Sequence, residues 1–332
     1  MTRVAVIVPA FNYGRFLSDA LDSVAAQTLA GWECIVVDDG STDDTEDVAR
    51  RYVGRDSRFR YVRQENRGVS AARNTGLRES IAPYVQFLDA DDRLAPSALE
   101  RHVTWLEAHH GTDIVYGQVT FFRSEEPDRV LYSLGGHLSK PLMDNVQTAA
   151  GALEKLQHYN ILPITGALLR RGVFDRAGFF DEKARASEDW AFWIRCAAAG
   201  CEIAFDGEQE AVAMVRSHPG SLSRDRLGLL RGLIESAHSF EANPSMRGKP
   251  LPLIYEVALG IEMAERGSRL DGSRRIRRAA ACASERLTAI RWRIYAAFAL
   301  FLPRRLFMRA VSMPVPERAF EWYRRLRRAL SC

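Results

Sequence analysis

The apolar residues of the first 110 positions fall into short unbroken runs separated by segments with helical spacing. Val4-Ala-Val-Ile-Val8 is apolar throughout, which predicts a strand buried on both faces. Phe16, Ala20, Leu21 and Val24 recur at helical intervals and predict a helix over Phe16 to Ala26. Cys34 to Val37 reads as the next strand, and Thr42-Asp43-Asp44 supplies a start for a helix over Thr45 to Tyr52. Phe59 to Val62 is a short strand, Ser70 to Ser80 a helix and Tyr84 to Leu88 another apolar strand, with Pro96 opening the helix that follows. Such an alternation predicts an α/β fold with a parallel sheet covered on both faces. Sheets of this kind bind ligands at the carboxyl ends of their strands. The polar residues cluster there: Asn12 after the first strand, Asp38 and Asp39 after the second, Asp89 and Asp91 after the fourth.

Beyond residue 110 the pattern loosens. Asp113 to Phe122 reads as one strand, residues 123–150 as loop, and Pro163 to Leu169 as an apolar segment followed by a turn of helix. Ser187 opens a helix that runs to Ala199, and Ile203 to Phe205 and Ala211 to Val215 are short strands. Residues 226–332 read as mainly helical, with loops at 243–252 and 266–273. The expected organisation is therefore a nucleotide-binding half over 1–110, a second half of the same domain over 111–225, and a helical extension over 226–332. Neither G-x-G-x-x-G after the first strand nor G-x-x-x-x-G-K-[ST] is present, which disfavours a dinucleotide oxidoreductase and a P-loop ATPase.

The composition, 47% hydrophobic and 27% charged, is that of a soluble globular protein. The net charge of +4 conceals an asymmetry: residues 271–332 carry 15 Arg and no Lys against four acids, while residues 1–270 are net acidic by seven. Five scattered cysteines without a CxxC pair argue for free thiols in a reducing compartment. Val4 to Val8 is too short for a signal-peptide core, and no stretch approaches the roughly 18–20 apolar residues a membrane span needs. A cytoplasmic protein is expected, with peripheral attachment to the inner face of the cell membrane as one of the readings open to its basic tail.

The most informative chemistry is Tyr84-Val-Gln-Phe-Leu-Asp-Ala-Asp-Asp92. Carboxylates two apart on extended backbone point the same way, so Asp89 and Asp91 could reach one divalent cation, Mg²⁺ or Mn²⁺, that a substrate diphosphate also ligates. The same Asp-x-Asp-Asp is equally ordinary turn and N-cap chemistry.

Five segments occur in fixed order: Val6-Ile-Val-Pro9-Ala-Phe11-Asn12, Val37-Asp38-Asp39-Gly-Ser-Thr-Asp43, Asn66-Arg-Gly68-Val-Ser-Ala-Ala-Arg73-Asn74-Thr-Gly76, Leu88-Asp89-Ala-Asp91-Asp92 and Ser187-Glu188-Asp189-Trp190. Together they resemble the family 2 inverting glycosyltransferases of GT-A fold, over roughly residues 3–220. The resemblance implies a mostly parallel sheet flanked by helices, a nucleotide-sugar donor and a divalent cation.

It also implies roles. Pro9 and Phe11 would floor and wall the base, and Asp39 would accept from the ring N–H of a uracil or thymine, with Asp38 as contact or structural support. Arg73 would lie near the diphosphate or else form a helix-surface ion pair. Asp89 would reach the ribose and Asp91 the cation, with Asp92 as helper or cap. Asp189 would be the general base, Ser187-Glu-Asp being alternatively a capping sequence, and Glu188 would orient it or the donor sugar. Arg216-Ser-His218 resembles a family feature in which the histidine closes over the diphosphate or metal, although a lone histidine is commonly structural.

The implied reaction is transfer of a sugar from a UDP- or dTDP-sugar to a hydroxyl of a saccharide or lipid-linked saccharide, as in cell-surface polysaccharide synthesis. A catalytically idle sugar-nucleotide-binding protein is the alternative. Arginines interleaved with Trp292, Tyr295, Phe298, Phe301, Phe307, Trp322 and Tyr323 in the tail suit an anionic membrane surface. Packing on the body and a dimer contact compete with that reading, oligomerisation stays open, and no nucleic-acid motif accompanies the charge.

Overall fold

The computed structural model describes residues 2–131, 145–156, 160–184, 186–218, 253–266 and 268–282, with isolated positions between 220 and 234. The chain divides into two units, Met1–His218 and Pro219–Cys332.

The first unit is built on strands β1 (Val4–Ala10), β2 (Trp32–Asp38), β3 (Phe59–Arg63) and β4 (Tyr84–Phe87), connected by helices α1 (Gly14–Ala25), α2 (Thr45–Arg55) and α3 (Val69–Arg78). A short strand β5 (Arg93–Leu94) and helix α4 (Ala98–Ala108) follow. Then come β6 (Ile114–Tyr116), β7 (Gln118–Arg123), β8 (Glu126–Leu131), α5 (Ala149–Leu156), β9 (Ala167–Arg170), α6 (Val173–Ala177), α7 (Glu188–Ala198), β10 (Ile203–Phe205) and β11 (Ala211–Ser217). A seven-stranded sheet has the order β10-β6-β9-β4-β1-β2-β3, and a four-stranded sheet the order β5-β11-β7-β8.

β1 is buried at every position because both of its faces are covered. Val4, Val6, Val8 and Ala10 join the core that contains Leu17, Ala20, Leu21 and Val24 of α1. On the other face Ile7 lies against Gly76 of α3, so close that a Cβ on Gly76 would run into the Ile7 side chain. Phe16, expected in the buried stripe of α1, is only half-buried; Leu17 takes its place in the core.

The sheet is mostly parallel, as expected, with one exception. β9 runs antiparallel between β4 and β6. Its Ala167-Leu-Leu169 core is buried on both faces, so composition alone cannot reveal its direction. The single strand expected over Asp113 to Phe122 is two strands in different sheets, broken at Gly117. A Cβ on Gly117 would stand 2.7 Å from Val212 Cγ1 and 2.9 Å from Asp206 Oδ2, so this close approach requires glycine. Within the expected loop 123–150, β8 pairs with β7 as a hairpin. The helix expected at Pro96 starts at Ala98, behind the unforeseen β5, which pairs with β11.

In the second unit, α8 (Leu253–Glu265) packs on α9 (Arg269–Cys282). The loop expected over 266–273 is confined to the residues before Arg269. Gly272, inside that expected loop, is a packing glycine of the helix: a Cβ there would press on the Gly260 carbonyl and the Ala264 amide. Arg275 pairs with Glu256 across the two helices at 2.5 Å, while Arg277 and Arg278 are exposed. The remainder of the basic tail, residues 283–332, and the expected loop at 243–252 lie outside the described residues. Among the described residues no helix is long and apolar enough to cross a membrane. Cys34, Cys196 and Cys201 are free and buried.

Candidate active site

The parallel register brings the carboxyl ends of β2, β1 and β4 side by side. Ala10 pairs with Asp38, and the Asp39 and Leu88 amides donate to the carbonyls of Ala10 and Ile7 at 2.8 and 3.0 Å. The two acidic segments therefore flank one strand end. Pro9 is buried in β1, and Phe11, just past it, is 44% exposed, an apolar ring left open to solvent at the rim.

Asp38 points into the protein. Fully buried, it accepts from the Ser41 amide at 2.7 Å and the Tyr61 hydroxyl at 2.6 Å. Asp39 already has protein partners: the Gln64 side-chain amide (2.7 Å), the Arg67 amide (2.9 Å) and the Gly68 amide (2.7 Å). Its burial is thus compensated without a ligand. It anchors the loop that leads into α3, where Gly68 has φ of 90°, a conformation glycine adopts without strain.

α3 delivers Arg73 into the interior. Only 2% of this side chain is exposed, so it makes no helix-surface ion pair. Nη2 donates to Asp89 Oδ1 at 2.8 Å, Nη1 donates to Glu188 Oε1 at 2.6 Å, and the guanidinium lies 5.4 Å from the Phe180 ring centroid. Burial opposes its charge, but Asp89 and Glu188 more than offset that and hold it protonated. The next residue, Asn74, fixes the Phe180 backbone by two hydrogen bonds of 2.9 and 3.0 Å. Arg73 thus ties the Asp89 segment to the Glu188-Asp189 segment, 115 residues away in the chain.

Asp91 and Asp92 diverge. Asp92 is buried and accepts from the Thr165 hydroxyl (2.8 Å) and the Arg216 amide (2.9 Å), so it staples the acidic turn to β11 and caps no helix. Burial and the neighbouring carboxylates Asp91 and Asp89 push its carboxyl well above the usual range. Asp91 Oδ2 instead lies 3.1 Å from His218 Nε2. Burial, then the Asp89 charge, push the Asp91 carboxyl up to about 7. The His218 ring packs against Phe16 (4.7 Å) and Tyr13 (5.8 Å), which accounts for the half-buried Phe16. Among the described residues no group of three or more His, Cys, Asp or Glu side chains could enclose a metal. Among the described residues Asp91 and His218 offer one carboxylate and one imidazole, and a bound diphosphate would have to complete such a site.

Glu188 and Asp189 open α7 behind Ser187, whose backbone is left-handed at φ 57° and ψ 30°. The Ser187 hydroxyl makes no capping hydrogen bond and has no partner among the described residues, so the capping alternative is not realised. A non-glycine residue held there carries strain of about 1–2 kcal/mol, as functional turns commonly do. Asp189 accepts from its neighbour's amide at 2.7 Å and from the Asn160 side-chain amide at 2.9 Å. Burial, then the Glu188 charge, push the Asp189 carboxyl up to about 7. Trp190 is buried, 1% exposed.

Three contributors were not expected from the sequence. Asn160 holds Asp189; Arg216 grips the Asp91 carbonyl at 2.8 Å through Nε; Phe16 backs His218. Arg216 had a signal, its place in the quoted Arg216-Ser-His218. Asn160 had none, since it stands in an irregular loop 29 residues before its partner.

The family model described as glycosyl transferase family 2 matches residues 5–178. Glycosyltransferase GlyA of Streptococcus pneumoniae serotype 4 is 31% identical over 179 residues, covering 53% of this chain and 26% of that protein. The uncharacterized glycosyltransferase EpsJ of Bacillus subtilis is 32% identical over 229 residues, 66% of this chain and 62% of that one. The matches therefore span less than two thirds of these relatives' own lengths. In three dimensions the chain resembles S. aureus TarS 1-349 in complex with UDP-GlcNAc, with a TM-score of 0.63, 16% identity and coverage of 98% and 92% of the two chains. It also resembles mannosyltransferase PcManGT of Pyrobaculum calidifontis in complex with GDP-Man and Mn²⁺, with a TM-score of 0.53, 21% identity and coverage of 93% and 83%. At these identities the likeness is one of fold, a GT-A-like α/β architecture. With a family match over more than half its length, the chain belongs to glycosyl transferase family 2.

Proposed function

We propose that the protein is a metal-dependent inverting glycosyltransferase that moves one sugar from a nucleoside-diphosphate donor, a UDP- or dTDP-sugar, to a hydroxyl of a saccharide or lipid-linked saccharide. The observation that carries this reading is the Arg73 bridge, which joins Asp89 and Glu188 and so puts the Asp-x-Asp turn and Asp189 into one cluster.

Each group has a task in that reaction. Phe11 offers an exposed face for base stacking. Asp39 Oδ2 accepts one hydrogen bond, from Gly68, and keeps a lone pair for the ring N–H of a uracil or thymine. Asp89, 35% exposed and bound to Arg73 through one oxygen, turns the other toward the ribose hydroxyls. Asp91 and His218 would hold a divalent cation, Mg²⁺ or Mn²⁺, the carboxylate supplying the hard oxygen these ions prefer and the imidazole a second donor beside it. When bound, that cation would neutralise the negative charge that develops on the departing diphosphate.

Asp189 takes the proton of the acceptor hydroxyl as it attacks the anomeric carbon from the face opposite the leaving group. A carboxyl near pH 7 is suited to this, because a base poised at the working pH accepts a proton most effectively. The Asn160 amide and the Trp190 N–H fix its orientation. Glu188, held by Arg73, keeps a second negative charge beside it.

The test is nucleoside-diphosphate release and sugar transfer across UDP-, dTDP- and GDP-sugars, with saccharide and lipid-linked acceptors, with and without Mn²⁺. Transfer that requires the cation and is lost in Asp91→Ala is expected. Thermal stabilisation by a nucleotide sugar with no turnover on any acceptor would favour an idle binding protein. Full activity in EDTA would remove the cation from the proposal. The cell-surface destination of the product, a cytoplasmic location and membrane attachment through 271–332 belong to the same proposal. Flotation on anionic liposomes, with and without that tail, tests the attachment.

A further inference from the structure

Arg73 is buried where the transfer reaction itself has no obvious need of a cation. Both of its terminal nitrogens are engaged, to Asp89 at 2.8 Å and Glu188 at 2.6 Å. Its side chain is 2% exposed, against 35% for Asp89 and 15% for Glu188, so the two carboxylates reach solvent where the guanidinium does not. The backbone of Phe180 is tied to Asn74, and its ring, beside the guanidinium, is stacked on Phe192 of α7 at 4.4 Å. The arginine therefore cannot swing forward to a phosphate without abandoning two carboxylates and a packed ring.

We infer that Arg73 is a positioning residue that couples the donor side of the site to the acceptor side: by holding Asp89 and Glu188 on one planar guanidinium, it sets the placement of Asp189, one residue further along α7. This rests on the transferase reading of the cluster. A planar fork with two donors in fixed geometry can span two carboxylates, whereas a lysine ammonium on a flexible stem can hold one well. The bridge makes two demands of one side chain, so loss of it affects the donor and the base together.

The charges around Asp189 give the inference a signature beyond activity. Among the described residues, the groups acting on its carboxyl are Glu188 on its own helix, Arg73 from α3, the Asn160 amide and the Trp190 N–H. Glu188 favours the protonated form and Arg73 the ionised one. Arg73→Met removes the cation and leaves Glu188 unopposed, so the acidic limb of the pH profile of kcat/KM moves up, by about one unit. Glu188→Gln removes the anion, and the same limb moves down. Opposite displacements from two contacting residues are not what a general loss of packing produces.

The experiment is a double-mutant cycle in the full-length protein with Arg73→Met, Glu188→Gln and the pair, and with Arg73→Lys as the conservative variant. Donor KM, kcat and pH profiles are measured together. Arg73→Met is expected to raise donor KM and lower kcat, each at least tenfold. The double variant should be scarcely worse in kcat than Arg73→Met alone, since the two side chains act through one contact. Arg73→Lys should recover one of the two parameters better than the other. If Arg73→Met does not fold, Glu188→Gln and Arg73→Lys still report the coupling through their pH limbs. Additive effects with an unmoved limb overturn the inference, as does a fall in melting temperature with normal kcat. Asp189→Asn run beside them separates the outcomes: if it turns over normally, the transferase reading fails; if it is inactive and the cycle is additive, the coupling alone fails.

Discussion

The Nε2 of His218 stands 3.1 Å from Oδ2 of Asp91, joining the last residue of the first unit to the second carboxylate of the Asp-x-Asp turn. The ring is backed by Phe16 and Tyr13, so its direction is set by packing as well as by the carboxylate. If the pair holds a cation, His218→Ala should raise the Mn²⁺ concentration for half-maximal rate by at least tenfold, since even residues that only orient metal ligands are worth about 10–100-fold in affinity. Initial rates over a Mn²⁺ titration at saturating donor measure this. Superimposable titrations of the variant and the parent would place His218 outside the cation site.

Asp189→Asn should lower kcat by about 10²–10⁴ while leaving donor affinity nearly intact, the range for loss of a general base. In the parent protein kcat/KM should fall as pH drops through about 7, where Asp189 takes up its proton. The same substitution carries a stability prediction of the opposite sign. An aspartate ionises near about pH 3.9 in an unfolded chain, whereas in the fold it stays protonated up to about 7. Its ionisation costs the fold nothing below the first value and the full penalty above the second. Melting temperatures should therefore rise in Asp189→Asn relative to the parent at pH 8 and differ little at pH 4. An unchanged difference at the two pH values would contradict the cause assigned to the shift.

Asp39→Ala should loosen the loop before α3. Three donors, the Gln64 side chain and the Arg67 and Gly68 amides, lose their acceptor together. A hydrogen bond to a charged group contributes about 1.5–3 kcal/mol, and these donors are only partly buried, so a lower melting temperature is expected, along with weaker donor binding measured by calorimetry. A variant with normal stability and only a binding defect would show that the loop is held by other means.

Gly76→Ala tests the packing of α3 on β1. The added methyl would collide with the Ile7 side chain, and overpacking of this kind costs about 1–3 kcal/mol. The urea midpoint should fall with an unchanged slope, as for a native-state effect. Because α3 also carries Arg73, kcat is expected to fall with it; an unaltered midpoint would mean that the helix shifts freely.

Much of this was readable from residues alone. The βα alternation of the first 110 positions needs only local information, because strands buried on both faces are apolar throughout and their connecting helices carry a clear period. Phe16 was misplaced by one residue because a helical stripe is about 100° wide and an aromatic at its edge can face either way. The strand break at Gly117 was not legible, since its cause is the approach of Val212 from nearly a hundred residues later. For the same reason β9 gave no sign of its direction. The loop expected over 266–273 was too long because the close crossing that Gly272 permits involves another helix.

The identity of the acids at the strand ends, their order and their spacing came from the sequence itself, since residue type and strand period are properties of the chain. Their division of labour did not. Whether Asp91 or Asp92 meets His218, whether Arg73 lies on a surface or is buried between two carboxylates, and which side chain holds Asp189 depend on partners from 16 to 127 residues away. Only the folded chain brings those partners together, because burial and neighbouring charge, unlike composition, are set by what packs against a residue in space.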